Sequence, residues 1–248
     1  TQGWIFTYEN FARSNALTNI TSPATYGITL SAKMFAHGID NDCTDNSPTF
    51  LQAPYFVSCA GTPFRYNMNA VDPDLDSLYI DFGIPYNNFP TGTYNPPLNP
   101  IPIPFEPGFT FSSPTPNNSV NPSNVSAAIN SSNGEITFNS FTVGNFVVKV
   151  LVKSYRQGIL IAEVEREMQL VIVPCATGNN APIFTAPFAG GLYTASVNAG
   201  DLVNFNVIAN DNEFLQDGSP QTVTLTASGP MFGSNFTSAT GCQVFPCA

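Results

Sequence analysis

The stretch GNFVVKVLVKSYRQGILIAEVEREMQLVIVPC, residues 144–175, decides the fold class of this chain. Every second residue of its first half is apolar: Phe146, Val148, Val150, Val152. The second half alternates in the same way through Val164, Arg166, Met168, Leu170, Ile172. A period of two is the pattern of a β-strand with one buried face, and the intervening Arg-Gln-Gly is a hairpin turn signal. The stretch therefore predicts two long antiparallel strands.

An internal repeat lies on either side of this hairpin. NSPTFLQAPYF at 46–56 resembles NAPIFTAPFAG at 180–190, and AGTPFRYNMNAVD at 60–72 aligns without a gap with AGDLVNFNVIAND at 199–211. The aligned strands share an alternating apolar set, which predicts a core strand that ends in an acidic turn. Each unit thus opens with an Asn-x-Pro linker and contains an Ala-Gly turn before its core strand.

The repeat predicts where the units begin and end. We expect residues 1–45 to be the C-terminal part of a preceding β-sandwich repeat, 46–178 a complete repeat, and 179–248 the N-terminal part of a following one. Residues 89–134 form a Pro-, Asn- and Ser-rich insertion in the complete repeat, and this composition excludes a central sheet strand. The insertion is either a functional loop or a segment that packs its Phe and Ile residues on the sandwich. Tandem units of this kind predict an all-β chain of immunoglobulin-like sandwiches.

Composition excludes several classes of partner. The 248-residue chain has a net charge of −10 and only seven Lys and Arg residues, whereas phosphate-backbone binding needs clustered basic side chains. No apolar run is long enough to cross a bilayer, and the N-terminus has no signal pattern. We expect either that a signal was removed or that the chain is a piece of a longer protein. Few charged residues and abundant Asn, Ser and Thr favour an extracellular location.

Cysteine usage argues against zinc and for disulfides. The chain has five Cys, one His and no Cys-x-x-Cys pair, so a zinc ligand set is not apparent. Cys242 and Cys247 are five residues apart, which makes a local disulfide between them sterically feasible. An odd Cys remains. His37 lies in a predicted loop without a nucleophile motif, so a Ser-His-Asp triad is not indicated.

The acidic stretch DPDLDS, residues 72–77, allows three interpretations. Asp72, Asp74 and Asp76 stand at i, i+2 and i+4, so their carboxylates can converge on one Ca²⁺ ion. Alternatively, the stretch is an acidic turn in which the Asp side chains cap backbone amides. A catalytic pair of carboxylates must face each other across a cleft, which neighbours in one turn do not, so no enzymatic activity is predicted.

Two further patterns bear on the surface. Trp4 alternates with Phe6 and Tyr8, which favours core packing on a strand over a sugar-stacking platform. The charged run VEREM at 164–168 is typical of an open, solvated strand face that protects a sheet edge.

The NSPTF opening, the run FRYNMNAVDPDLDSLYI and the ending EREMQLVIVPC before NNAP together resemble the repeats of large Bacteroidota cell-surface proteins. These are gliding-motility adhesins and their relatives, with polycystic-kidney-type and cadherin-like β-sandwich repeats. The opening WIFTYENFARSNALTNITSP is similar to a recurrent segment of such proteins. The resemblance covers most of the chain and implies type IX secretion, attachment to the cell surface and very long chains.

The resemblance also implies sites and a role. Cadherin-like repeats bind calcium at such turns, which adds to the case for Ca²⁺ at Asp72, Asp74 and Asp76, although Leu75 stands where Gly is commoner. The triplet from Asp76 to Leu78 is similar to a Bacteroidota O-glycosylation signal, with Ser77 as the acceptor. The implied role is structural or adhesive, towards a surface glycan, a substratum or neighbouring chains, in a filament or a membrane-anchored complex. The alternative is a carbohydrate-binding accessory module of a secreted hydrolase.

Overall fold

The computed structural model describes residues 3–36, 45–89, 100–175, 182–198, 200–211, 219–220 and 223. The chain divides into two compact units, Thr1–Pro174 and Cys175–Ala248. In the described ranges the regular structure consists of β-strands and one 3₁₀ turn, Pro23–Thr25, without any α-helix. The all-β prediction is confirmed. None of these residues forms a helix with the length and apolar character needed to span a bilayer.

Eleven of the thirteen strands belong to the first unit. They are β1 (Trp4–Asn10), β2 (Ile28–Met34), β3 (Thr49–Phe50), β4 (Tyr55–Cys59), β5 (Phe64–Asn67), β6 (Ala70–Val71), β7 (Ser77–Phe82), β8 (Val125–Ile129), β9 (Glu135–Asn139), β10 (Gly144–Arg156) and β11 (Ile159–Val173). The second unit contributes β12 (Ile183–Thr185) and β13 (Ile208–Asn210).

The long hairpin of β10 and β11 is the centre of the first unit. The strands are 13 and 15 residues long and pair from Gly144↔Ile172 to Arg156↔Ile159. Gln157 and Gly158 join them with φ angles of 51° and 81°. A two-residue turn with both φ positive matches the right-handed twist of antiparallel strands, so the predicted hairpin and its turn are confirmed.

Strand β11 has two different neighbours on its other side. Its C-terminal half pairs with β4 in parallel, from Gln169↔Tyr55 to Val173↔Cys59, whereas Ala162–Val164 pair with β2 in antiparallel. Strand β1 then pairs with the whole of β2. The sheet order is β1-β2-β11-β10-β7, with β4 beside β11.

Strands β1 and β2 therefore lie in the same sheet as the strands that follow them, whereas the sequence analysis assigns their residues to a preceding repeat. The physical reason is length: β11 extends beyond β4, and its free backbone groups there accept β2 as a neighbour.

A second sheet, β5-β9-β8, covers one face of the first. The buried side chains between the two sheets are Met68, Ile80, Phe82, Ala127, Ile136, Phe138, Phe146, Val148, Val150, Val152, Met168, Leu170 and Ile172. These include the alternating set of the hairpin except Val164 and Arg166, which are half-buried, so the predicted buried face is confirmed for the other members of the set. The rings of Phe64 and Phe138, which pair across β5 and β9, have centroids 4.7 Å apart.

The opposite face of the six-stranded sheet is also covered, by the loop 11–27 and by residues 100–124. Leu17, Ile20, Ile103 and Val147 form a small buried cluster there. In the described part of the 89–134 insertion Ile103, Phe105 and Phe109 pack on the sheets, whereas Ile101 and Phe111 are 61% and 43% exposed. The second of the two predicted alternatives thus holds for part of these residues. The last residues of the insertion form β8, an outer strand of the second sheet, so the insertion is shorter than its composition indicated.

The internal repeat is reproduced by the strand pairing. Strand β3 pairs with β6 through Phe50↔Ala70, and β12 pairs with β13 through Phe184↔Ala209. These two pairs are equivalent in the sequence alignment of the repeats. The aligned carboxylates that follow, Asp72 and Asp211, are 6% and 7% exposed. The shared local structure is limited to this strand pair. The predicted core strand is divided into β5 and β6 in the first unit, and in the second its aligned residues Val203, Phe205 and Val207 are exposed and lie outside β13.

Core packing of the aromatic residues of β1 is a prediction that the structure contradicts. Trp4, Phe6 and Tyr8 are 71%, 58% and 58% exposed. Their alternation does place them on one face of the sheet, but the second sheet ends before it reaches β1, so no layer of the described residues buries them.

The side chain of Asn19 fastens the N-terminal loop to the sheet. It is fully buried, its Nδ2 donates to the carbonyls of Pro114 (2.8 Å) and Val147 (2.9 Å), and its Oδ1 accepts from the Val147 N–H (2.9 Å). We expect Asn19→Ala to lower the free energy of unfolding by about 3 kcal/mol, because it leaves backbone groups buried without partners. Urea unfolding measures the effect, with the exposed Asn118→Ala as control. Equal stability of the two variants would contradict the assignment of residues 11–27 to this fold.

Candidate functional site

The turn after β6 uses Asp72 as an internal cap. Asp72 Oδ1 accepts the N–H groups of Asp74 (2.9 Å) and Asp76 (3.3 Å), and its Oδ2 accepts from the buried Ser154 Oγ of β10 (2.8 Å). A carboxylate that caps its own turn is the behaviour expected of Asp in a loop. The turn interpretation is confirmed for Asp72. Its carboxylate points into the protein and away from the carboxylates of Asp74 and Asp76.

The other two carboxylates meet a third that the sequence did not indicate. One carboxylate oxygen from each of Asp45, Asp74 and Asp76 lies within 4.8 Å of the others. The Arg156 guanidinium at the end of β10 joins them: Nε and Nη2 donate to the two oxygens of Asp76 at 2.9 and 2.7 Å. Nη2 also lies 3.0 Å from Asp45 Oδ1 and 3.4 Å from Asp74 Oδ2. We call these four residues the Arg156 cluster.

Leu75 has an unfavourable backbone conformation at the tip of this turn. Its φ is 64° and its side chain is 79% exposed. A left-handed conformation is costly for a residue with a Cβ atom. The hydrogen bonds of Asp72 and the contacts of the Arg156 cluster on either side hold Leu75 in this conformation.

The charges of the cluster shift the pKa values of its members. The hydrogen bond with Asp76 raises the pKa of Arg156, so this guanidinium is always protonated. The backbone and side-chain N–H groups of Asn46, 2.7 and 2.9 Å from Asp74, lower the pKa of the Asp74 carboxyl. Burial raises the pKa of Asp45 and outweighs the opposite effect of Arg156. The cluster is thus an ion-pair network with one cation and three acidic groups.

The Arg156 cluster fits calcium only in part. Carboxylate oxygens are suitable donors, but Ca²⁺ takes roughly six to eight oxygens. Of the predicted ligands Asp72, Asp74 and Asp76, the first is turned inward. Arg156 already contacts the other two, so a cation would have to displace a guanidinium bound by both nitrogens to Asp76. The calcium prediction stays a prediction.

The remaining predicted residues are placed as follows. Ser77 is exposed at the first position of β7, opposite Tyr155, and its glycosylation stays a prediction. Cys242, Cys247 and His37 lie outside the described residues. Cys59, the last residue of β4, and Cys175 are both disulfide-bonded, in agreement with the expectation that this chain uses its cysteines in disulfides.

The charged run in β11 is not a solvated edge, which corrects the sequence interpretation. Strand β11 has neighbours on both sides, and Glu163, Glu165 and Glu167 are 12%, 8% and 7% exposed on the face opposite the main core. Each is paired with a cation on another element: Lys33, Lys149 and Arg13 respectively. Buried charges require such partners, and the covering loops supply the low-dielectric surroundings.

Lys33, Glu163 and Glu165 border a cavity of about 300 Å³ between the sheet and the covering residues. Its polar side chains come from the sheet: Thr7, Thr29, Ser31, Lys33, Glu163 and Glu165. Its apolar side includes the rings of Tyr86, Phe89 and Phe111. A concave site with an apolar wall and a few converging polar groups is the usual form of a small-molecule site.

The positive and negative side chains around the cavity balance one another in charge. Burial alone would lower the pKa of Lys33, but its 2.6 Å hydrogen bond to Glu163 and the charges of Glu163 and Glu165 outweigh burial and raise it. Burial lowers the pKa of Lys149, whose Nζ lies 2.9 Å from Glu165 Oε2 and 4.3 Å from the centre of the Tyr86 ring. Burial and the charge of Glu165 raise the pKa of the Tyr86 hydroxyl.

The sequence does not indicate this cavity, and of the Arg156 cluster it indicates only Asp74 and Asp76. One signal was available: the residues that alternate with the apolar set of the hairpin include Lys149, Lys153, Glu163, Glu165 and Glu167, so both long strands carry charges on one face. Where such a face is buried, its charges need oppositely charged partners. The partners Arg13 and Lys33 come from more than a hundred residues away, with no local pattern to indicate them.

Comparison of the chain with protein-family models, with curated proteins and with solved structures gave no match.

Removal of the Arg156 guanidinium should destabilise the protein and make it sensitive to calcium. We expect Arg156→Gln to lower the free energy of unfolding more than its control does, because it leaves Asp45 and Asp76, which are 4% and 6% exposed, without their cation. The control is Arg65→Gln: Arg65 pairs with Glu135 but is 76% exposed, so a loss of about 0 to 1 kcal/mol is expected.

Thermal melting with Ca²⁺ and with a chelator completes this test. The melting midpoint of Arg156→Gln should rise more with Ca²⁺ than that of the unmodified chain, since the cation can then take the place of the guanidinium. An unchanged midpoint of the unmodified chain would contradict the calcium prediction. Equal stabilities of Arg156→Gln and Arg65→Gln would contradict the role of the Arg156 cluster.

Asp74 should make the stability depend on pH in the acid range. Its folded pKa lies below the usual value of 3.8, so the stabilisation is fully present above that value and is lost as the pH falls through the folded pKa. We expect the stability difference between the unmodified chain and Asp74→Asn, measured by urea unfolding, to shrink from pH 7 to about pH 2.5. Asp81→Asn, which changes an exposed carboxylate in β7, is the control. A constant difference would show that the Asn46 hydrogen bonds do not favour the ionised form.

Proposed function

We propose that this chain is an extracellular structural and adhesive segment of a large bacterial cell-surface protein, made of tandem immunoglobulin-like units and acting in surface attachment or gliding. The strand order of the first unit carries the proposal. Strands β7, β10 and β11, with β4 parallel to β11, form one sheet, and β5, β9 and β8 form the other. Taken in chain order, β5, β7, β8, β9, β10 and β11 correspond to strands B, C, D, E, F and G of an immunoglobulin-like sandwich. In that fold C, F and G belong to one sheet and B, E and D to the other.

The repetition of one local structure supports the tandem arrangement. The pairs Phe50↔Ala70 and Phe184↔Ala209 and the buried Asp72 and Asp211 recur at equivalent positions of two compact units. Serial repetition of a small sandwich is a simple way to build a long stalk or filament. Neighbouring chains, a substratum or a surface glycan are then the partners.

The pairing of β4 with β11 suits such a mechanical role. The two strands are parallel, so a force between the start of β4 and the end of β11 acts along them in opposite directions at their far ends. All register positions from Gln169↔Tyr55 to Val173↔Cys59 then share the load, and they must break together. Strands that are pulled apart from one end lose their hydrogen bonds one at a time and resist less.

Disulfides and charge support an extracellular location. Cys59 and Cys175 are disulfide-bonded, and disulfides persist mainly in oxidising compartments. The acidic net charge of −10 favours solubility and argues against nucleic acid as a partner.

The cavity beside β11 favours a second candidate, a carbohydrate-binding accessory module of a secreted hydrolase. Its aromatic wall and hydroxyl-bearing floor are the surroundings that a sugar ring needs. The two candidates differ in what the rest of the protein does, since the accessory module serves a catalytic domain and the adhesive segment does not.

One experiment separates them. Antibodies raised against residues 46–175 should label intact, unpermeabilised cells that make the protein, and deletion of those residues should reduce attachment under flow while polysaccharide hydrolysis stays unchanged. Loss of hydrolysis with normal attachment would favour the accessory module. Labelling that requires permeabilised cells would contradict both.

A further inference from the structure

We propose that the cavity between the six-stranded sheet and its covering loops binds one ring of a neutral sugar, as the glycan site of the segment. This inference rests on the proposed adhesive function and assigns it a location and a ligand class. The cavity volume, about 300 Å³, is at the lower end of the range for small-molecule sites, so it suits a single ring with the rest of the glycan outside.

The polar floor offers donors and acceptors at close spacing. Thr7 and Ser31 pair across β1 and β2, and Glu163 and Lys33 pair across β11 and β2, so hydroxyl, ammonium and carboxylate groups alternate over neighbouring strands. A sugar ring presents hydroxyl groups that both donate and accept. Such a floor can therefore bind several of them at once, which a purely cationic or anionic floor cannot.

One buried polar atom of this floor has no protein partner. Thr7 Oγ1 is buried and makes no hydrogen bond within the part of the chain that the structure describes. A buried hydroxyl without a partner is destabilising, and a ligand hydroxyl in the cavity would supply the missing hydrogen bond. The free energy recovered in this way favours a ligand that carries hydroxyls.

The balance of charge selects a neutral ligand. Lys33 is paired with Glu163, and Lys149, directly behind the cavity, is paired with Glu165. No other charged side chain lines the cavity among the described residues. An anionic ligand would face Glu163 and Glu165, and a cationic one would face Lys33 and lose its hydration without a free carboxylate to replace it. A neutral polyhydroxylated ring meets neither penalty.

The aromatic wall gives the ring its apolar contact. Phe89 is buried in the wall, and Phe111, 43% exposed, lies at the rim. The C–H groups on one face of a sugar ring pack on aromatic rings, while its hydroxyls point sideways to polar groups. Tyr86 lines the same wall, and burial and the charge of Glu165 raise the pKa of its hydroxyl.

Saturation-transfer NMR and calorimetry on the whole chain test the proposal with three neutral probes: methyl β-glucoside, methyl β-galactoside and methyl α-mannoside. We expect at least one to bind, and its uronic acid and amino-sugar analogues to bind at least about tenfold more weakly. Phe111→Ala and the isosteric Thr7→Val should each weaken binding several-fold, and melting curves show whether either variant still folds.

Phe141→Ala is the matched control, since Phe141 is 49% exposed and lies outside the cavity; it should bind like the unmodified chain. The proposal is overturned if none of the three glycosides binds, if the charged analogues bind as well, or if Phe111→Ala and Thr7→Val bind normally. Attachment of cells that persists in both cavity variants would overturn this inference alone, whereas absence of the chain from the cell surface would overturn the proposed function.

Discussion

The backbone pairing of β10 with β11 is the constraint on which the rest of the structure depends. The pairing runs from Gly144↔Ile172 to the turn at Gln157 and Gly158, and β7, β2 and β4 all add to its two outer edges. Because side chains alternate along a strand, this ribbon has two faces of opposite character. One is apolar and joins the second sheet; the other carries Lys149, Glu165 and their neighbours and is joined by the N-terminal loop and the insertion.

The charged face depends on cations that pair with its buried carboxylates. A carboxylate in the middle of a sheet that is covered on both sides must have a cation nearby, or its burial costs several kcal/mol. Arg13 reaches Glu167 from 154 residues away and also donates to the Tyr86 carbonyl at 2.9 Å. This guanidinium thus ties the N-terminal loop, β11 and the segment after β7 together. The polar cavity is the space that remains between these ion pairs and the aromatic side chains of the cover.

Local patterns and long-range partners differed in how far they could be predicted. The hairpin and its turn rest on residues close in sequence, and both appear as predicted. The core strand predicted for both repeats is divided into β5 and β6 in the first unit, and residues 201–207 of the second form no strand. Trp4, Phe6 and Tyr8 alternate like a core strand and are exposed, because alternation shows that residues share a face and not whether another layer reaches it. Asp74 and Asp76 were predicted to share a cation. Their partner Arg156 is the last residue of β10 and lies 80 residues from Asp76. No pattern near Arg156 in the sequence indicates that it contacts these carboxylates.

The sequence by itself determined the all-β class and the central hairpin with its turn, since each depends on side-chain periodicity or on turn chemistry within a few residues. Only the tertiary structure decided that β1 and β2 join the sheet of the following strands, that Arg156 occupies the acidic cluster, and that the glutamates of β11 are buried. These outcomes depend on which distant segment covers which face. A covering contact depends on two surfaces that meet in the folded protein. The sequence of one surface does not indicate which distant segment forms the other.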